Sequence, residues 1–73
     1  MNERIIIDPQ ICHGKPIIRG TRVPIVRIID GLAGDMTKEE IMREYEVTEE
    51  DIAAALSYAT ELIEAGEVHP LPV

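Results

Sequence analysis

The chain has 73 residues, with seven lysines and arginines against fourteen acidic side chains and a formal net charge of −7. That length makes a single domain, the acidic balance excludes a protein that coats nucleic acid uniformly, and one cysteine excludes an internal disulfide.

Phe and Trp are absent and only two Tyr are present, so twelve Ile, with Leu, Val and Ala, must fill the core. Cores of this size supply about 3–5 kcal/mol, and small scaffolds commonly add a metal, a disulfide or a second copy. With no disulfide available, association is the remaining route, and a homodimer is expected. The lone Cys and the lack of a visible signal peptide fit a soluble, cytoplasmic protein. No apolar run approaches the roughly 20 residues that span a bilayer, so no membrane partner is expected.

Arg4-Ile5-Ile6-Ile7 is a short β-branched run closed by Asp8-Pro9, and Pro16-Ile17-Ile18-Arg19 is a second one closed by Gly20. Both predict short strands. Asp8, Pro9, Gly14 and Pro16 are turn formers in the segment between. Strands this short are marginal alone, so they pair with each other or with their copies in a dimer.

Val23 precedes Pro24 and should be extended, while Pro24 suits the first turn of a helix. Ile25, Ile28, Ile29 and Leu32 follow at helical spacing, with Arg27, Asp30 and Gly31 opposite and Gly34 as a stop. Thr37-Lys38-Glu39-Glu40 is a capping box that opens a helix burying Ile41, Met42 and Tyr45. Thr48-Glu49-Glu50-Asp51 repeats the signal with Asp in the last place, and this helix should run to Ala65 with Gly66 as its stop. Ile52, Ala55, Leu56, Ala59 and Ile63 make one apolar stripe on it. Ala54, Tyr58, Leu62 and Ala65 make a second, which is the expected dimer interface. The whole predicts a mostly helical α+β domain over residues 1–66: two short strands, then three helices, the last two helix-turn-helix-like. Residues 67–73, rich in proline, predict an extended tail.

Charge is divided along the chain. Residues 1–29 carry five basic and two acidic side chains, and residues 30–73 carry two basic and twelve acidic ones. The unit over residues 36–56 has the length of a DNA-binding helix-turn-helix. Its second helix, however, opens on Thr48, Glu49, Glu50 and Asp51, and three carboxylates would be repelled by phosphates. These acids suit a helix cap and its dipole instead. Any DNA contact therefore falls to the basic front end.

There, Lys15, Arg19, Arg22 and Arg27 surround the Gly20-Thr21 corner where strand gives way to helix. Two readings stand. One is a rigid anion-binding edge formed by Lys15, Arg19, Gly20, Thr21, Arg22 and Arg27, fit for phosphate or for clustered carboxylates on a partner. The other is that the chain's own acids pair with these cations and the edge only solubilises the fold.

Cys12, His13 and His69 are the residues a metal site would draw on. A zinc site wants four ligands at paired spacings, and neighbours on an extended segment point apart, so no metal or other cofactor is expected. No phosphate loop, nucleophile elbow or spaced Cys, His and Asn set is present. The chain reads as a non-enzyme.

Asp8-Pro9, Ile11, Gly14-Lys15-Pro16, the run from Ile18 through Arg19-Gly20-Thr21-Arg22 to Val23-Pro24, Met36-Thr37, Ile41, Asp51-Ile52 and Ala54-Ala55-Leu56 carry a resemblance. Over residues 5–60 the chain is similar to the bacterial and archaeal family called domain of unknown function 433. The resemblance implies a small, helix-rich, helix-turn-helix-like domain that forms dimers. Some members are regarded as VapB-type antitoxins of toxin-antitoxin systems, paired with toxins related to PIN-domain ribonucleases. No catalytic residue is carried over. The function implied is an antitoxin-like module that neutralises a PIN-like ribonuclease through its basic edge. The alternatives are a DNA-binding regulator, acting on its own operon, and a dimeric interaction domain with another protein partner.

Overall fold

Two pairs of isoleucines build the only sheet among the described residues. Ile5–Ile6 (β1) and Ile17–Ile18 (β2) run antiparallel, with Ile5 opposite Ile18 and Ile6 opposite Ile17. The strands therefore pair within one chain. The computed structural model describes residues 3–67. The tail expected over residues 68–73, His69 included, lies outside the described residues.

The connection between the strands is shaped by local polar chemistry. The Asp8 carboxylate accepts from the Gln10 N–H at 2.9 Å, and the Asp8 carbonyl accepts from the Ile11 N–H, an aspartate turn. Cys12, His13 and Gly14 then adopt positive φ in succession, at 50°, 58° and 79°.

Three helices follow. Ile25–Ala33 (α1) begins after Pro24, whose extended backbone makes it the capping residue rather than the first helical one. Gly34 ends α1 as expected, and the left-handed turn beyond it falls on Asp35 at φ 70°. Lys38–Tyr45 (α2) and Glu49–Leu62 (α3) each start on a complete capping box. At α2 the Thr37 hydroxyl accepts from the Glu40 N–H at 3.1 Å and the Glu40 carboxylate accepts from the Thr37 N–H at 2.8 Å. At α3 the same exchange joins Thr48 and Asp51 at 3.1 and 3.0 Å. Each box satisfies two amide donors that the helix start would leave unpaired. A short turn, with Glu46 left-handed, joins α2 to α3. A last wide turn, Ile63–Glu67, closes the described chain, with Gly66 at φ 88°. Glu67, expected in an extended tail, belongs to that turn.

The core gathers Ile5 and Ile18 from the sheet, Ile25 and Ile28 from α1, Ile41 from α2, Val47 from the turn, and Ile52, Ala54, Ala55 and Tyr58 from α3. The inward face of α3 differs from the one its periodicity predicts. Ala54 and Tyr58, expected on an outward dimer stripe, are buried in the protomer's own core. Leu56 and Ile63, expected in the core, are exposed. The stripes are adjacent on one helix, and the position of α1 and β1 against α3 decides between them. Gly31, expected on the outer side of α1, faces α2: a Cβ there would stand 3.1 Å from Met36 Sδ and 3.4 Å from Ile41 Cδ1.

Candidate functional site

The corner between β2 and α1 is a tight, internally bonded turn. Gly20 sits at φ 81°, a conformation that side chains disfavour. The Thr21 hydroxyl donates to the Ile18 carbonyl at 2.8 Å and accepts from the Val23 N–H at 3.0 Å. Ile17 then bridges to Pro24, and the Ile25 N–H donates to the Pro16 carbonyl. Gly20 and Thr21, expected at the binding edge, thus hold the turn that spaces the cations around it.

The cations divide into groups. Arg19 lies toward the N-terminus, where its Nε donates to the Glu3 carbonyl at 2.6 Å and its backbone N–H to the Arg4 carbonyl. Glu3, Arg4 and Arg19 line one open depression. Lys15 and Arg27 lie on another side and share a depression of about 460 Å³ with Asp30 and Tyr45. They come together because the Pro16–Ile25 hydrogen bond lays the end of the interstrand loop along the start of α1. Arg22 is exposed, and its carbonyl accepts from the Cys12 thiol at 3.4 Å.

Arg4, a basic residue outside the expected edge, forms the one ion pair among the described residues, with Asp51. Among the described residues Lys15, Arg19, Arg22 and Arg27 form none. Arg19 is fixed by a carbonyl, which orients its guanidinium without neutralising it. Arg4 had one available signal, its position just before the first isoleucine run. Its partner lies near the far end of the sequence and could not be read locally.

Burial acts to raise the Asp51 carboxyl. The Thr48 N–H, the Arg4 guanidinium and the Thr48 hydroxyl outweigh it, leaving Asp51 below the ordinary carboxylate value. Glu40 is held low by the Thr37 N–H above all, with the Thr37 hydroxyl and the Arg43 charge adding to it. At the start of α3 the exposed carboxylates are therefore Glu49 and Glu50, Asp51 being enclosed.

Cys12 is half-buried and His13 exposed. Among the described residues no three His, Cys, Asp or Glu side chains converge as a metal site would require. Among them, too, no helix is long and apolar enough to cross a membrane.

A two-stranded antiparallel sheet ahead of three helices defines a small, mostly helical α+β domain, its basic residues set in separate groups about the strand-to-helix corner. The family pattern described as "Protein of unknown function (DUF433)" matches residues 5–59, and the chain belongs to that family. Among solved structures it is similar to the crystal structure of a DUF433 member protein from Anabaena variabilis ATCC 29413, with 30% identity and a TM-score of 0.77. The match covers 85% of this chain and 62% of that one, so the chain spans less than two thirds of that relative's length. No curated protein matches.

Proposed function

We propose that this protein is a non-enzymatic, antitoxin-like binding module whose basic corner docks on a carboxylate cluster, such as the metal-holding acids of a PIN-like ribonuclease. The observation that carries the reading is the state of the cations. The chain has twice as many acids as bases, yet Arg19 and Arg22 have no carboxylate partner among the described residues. A guanidinium held by a carbonyl at one nitrogen is pre-oriented and keeps its charge for a partner carboxylate, which it can engage bidentately. Arg19 and Arg22 lead, on either side of the Gly20-Thr21 turn, with Lys15 and Arg27 flanking.

The test is co-purification with a candidate acid-site nuclease and inhibition of its RNA cleavage. The double variant Arg19→Glu, Arg22→Glu should lose both while keeping the helical circular dichroism of the parent. Full inhibition by that variant would overturn the reading. A DNA-binding role would use the same corner, because Glu49 and Glu50 stand at the start of α3. Its mark is duplex binding that falls steeply as salt rises.

A further inference from the structure

Two depressions meet along α1. One is a groove of about 330 Å³ between α1 and α3, where Ile25, Val26, Ile29, Ala59 and Leu62 line an apolar slot with Lys15 at its edge. The other is the depression of about 460 Å³ that holds Lys15, Arg27, Asp30 and Tyr45. Lys15 and Val26 belong to both, so the apolar slot borders directly on a cationic one. Val26 is 56% exposed and Leu62 45%. Isolated exposed apolar residues need no explanation, but a shared apolar slot does. On the cationic side, Lys15 and Arg27 form no ion pair among the described residues, and Asp30 is the one acid among the described residues that line it.

We infer that the joined depressions bind a medium-chain fatty acid as its carboxylate anion, with the alkyl chain in the α1–α3 slot and the carboxylate between Lys15 and Arg27. An apolar slot alone accepts any hydrocarbon, and a cationic pair alone accepts any anion. Their junction at Lys15 and Val26 selects a molecule that carries both ends. Lys15 suits the junction because its stem can lie on apolar surface while its ammonium reaches the head group. Arg27 adds a planar fork that matches a carboxylate bidentately. The interstrand loop supplies Lys15 and α1 supplies Arg27, and the bond from the Ile25 N–H to the Pro16 carbonyl holds those two segments together.

The lining also argues for an alkyl chain over a peptide. An extended segment laid in the slot would find no side-chain partner for its backbone amides, because Lys15 is the one polar side chain among its described lining residues. An alkyl chain has no such groups to satisfy. The slot's volume lies at the small end of the range for ligand pockets, which favours a medium chain over a long one. This site does not rest on the antitoxin-like reading. It uses Lys15 and Arg27 and leaves Arg19 and Arg22 to a protein partner.

Amide NMR of the full chain, titrated with sodium octanoate below its micelle concentration, reads the binding. Shifts should concentrate at Val26, Arg27, Ile29, Ala59 and Leu62. Each end of the ligand should count. Acetate should bind at least about thirtyfold more weakly, and decanoate about fourfold more tightly, as methylenes half-buried in an open slot require. Octanol, which lacks the charge, should bind about tenfold more weakly than octanoate. Lys15→Gln with Arg27→Gln should remove that tenfold preference and leave octanol unchanged, and Asp30→Asn should tighten octanoate alone. Leu62→Asp and Val26→Asp should each weaken both ligands by at least about tenfold, since each puts a charge into the apolar slot. Leu56→Asp, at an exposed apolar position outside the groove, and Arg19→Glu with Arg22→Glu should leave both unchanged. Circular dichroism confirms that each variant is folded. Equal affinities for octanoate and octanol in the parent overturn the inference, as do octanoate shifts confined to other residues. So does a groove covered by a second copy of the chain, seen as shifts at these residues on dilution and none with octanoate.

Discussion

Arg4 Nη1 and Asp51 Oδ1, 47 positions apart in sequence, meet at 3.0 Å and tie the start of β1 to the start of α3. Asp51 is the better buried partner, its side chain 11% exposed against 51% for Arg4. The same carboxylate caps α3 through its other oxygen, so one side chain serves a helix start and a long-range contact together.

Removing either member should therefore have unequal effects. Arg4→Ala leaves the cap intact and should cost about 1 kcal/mol, discounted because Arg4 is half in water. Asp51→Ala removes cap and pair together and should cost about 2 kcal/mol. In urea unfolding, the double variant should fall short of the sum by roughly 0.5–1 kcal/mol. Additive losses would show that the pair contributes nothing.

Acid should expose the same contact. Asp51 and Glu40 both titrate below the ordinary carboxylate range in the folded state. A carboxyl depressed by folding stabilises the native state above its unfolded value, about 3.9–4.3, and that stabilisation is lost as pH falls through the folded value. Their contribution should stay flat from neutral pH to about pH 5 and disappear below about pH 4. Urea midpoints of Asp51→Asn should converge on those of the parent as pH drops. A gap that stays constant as pH falls well below the ordinary carboxylate values of about 3.9–4.3 would contradict the assignment.

Glu46 holds a left-handed conformation at φ 56°, with its N–H donating to the Met42 carbonyl. A side chain there is strained, and glycine is the usual residue at such a helix end. Glu46→Gly should stabilise the protein by about 1 kcal/mol. Glu46→Ala removes the same charge but keeps the Cβ, and should gain little. Equal gains from both, measured by thermal unfolding, would assign the effect to charge instead.

Gly31 sets how closely α1 and α2 approach. Alanine would gain about 1 kcal/mol of helix propensity, but its Cβ would press on Met36 Sδ at 3.1 Å. The thioether can swing away, so Gly31→Ala should lie within about 0.5 kcal/mol of the parent. Gly31→Leu cannot avoid Ile41 and should cost about 2 kcal/mol or more. A well-tolerated leucine in denaturant unfolding would mean that the helices do not close over this glycine.

Thr21 divides a turn role from a binding role. Thr21→Val removes a hydroxyl with two hydrogen bonds and should cost about 1–2 kcal/mol, whereas Thr21→Ser should be nearly neutral. Stability left unchanged by valine would return Thr21 to the outward-facing edge.

The elements and their ends were legible because the chemistry that sets them is local. Thr37 with Glu40 and Thr48 with Asp51 each satisfy a helix start within four residues, and Gly66 takes the left-handed conformation in the turn that follows α3. The paired isoleucine runs announce the strands in the same way. The candidate edge was legible only as a set of cations, since Lys15, Arg19, Arg22 and Arg27 are visible in any reading of the first 29 residues.

What the sequence alone determined is thus the inventory: two short strands, three helices of which two open on capping boxes, and a basic front joined to an acidic remainder. Tertiary structure decided which stripe of α3 turns inward, that Arg4 and not its neighbours is neutralised, that Lys15 joins Arg27 while Arg19 joins Arg4, and that Val26 and Leu62 share a groove. Caps and turns are settled over three or four residues, whose mutual distances the backbone fixes. Burial and ion pairing are settled by elements distant in sequence, and their distances exist only once the helices have packed.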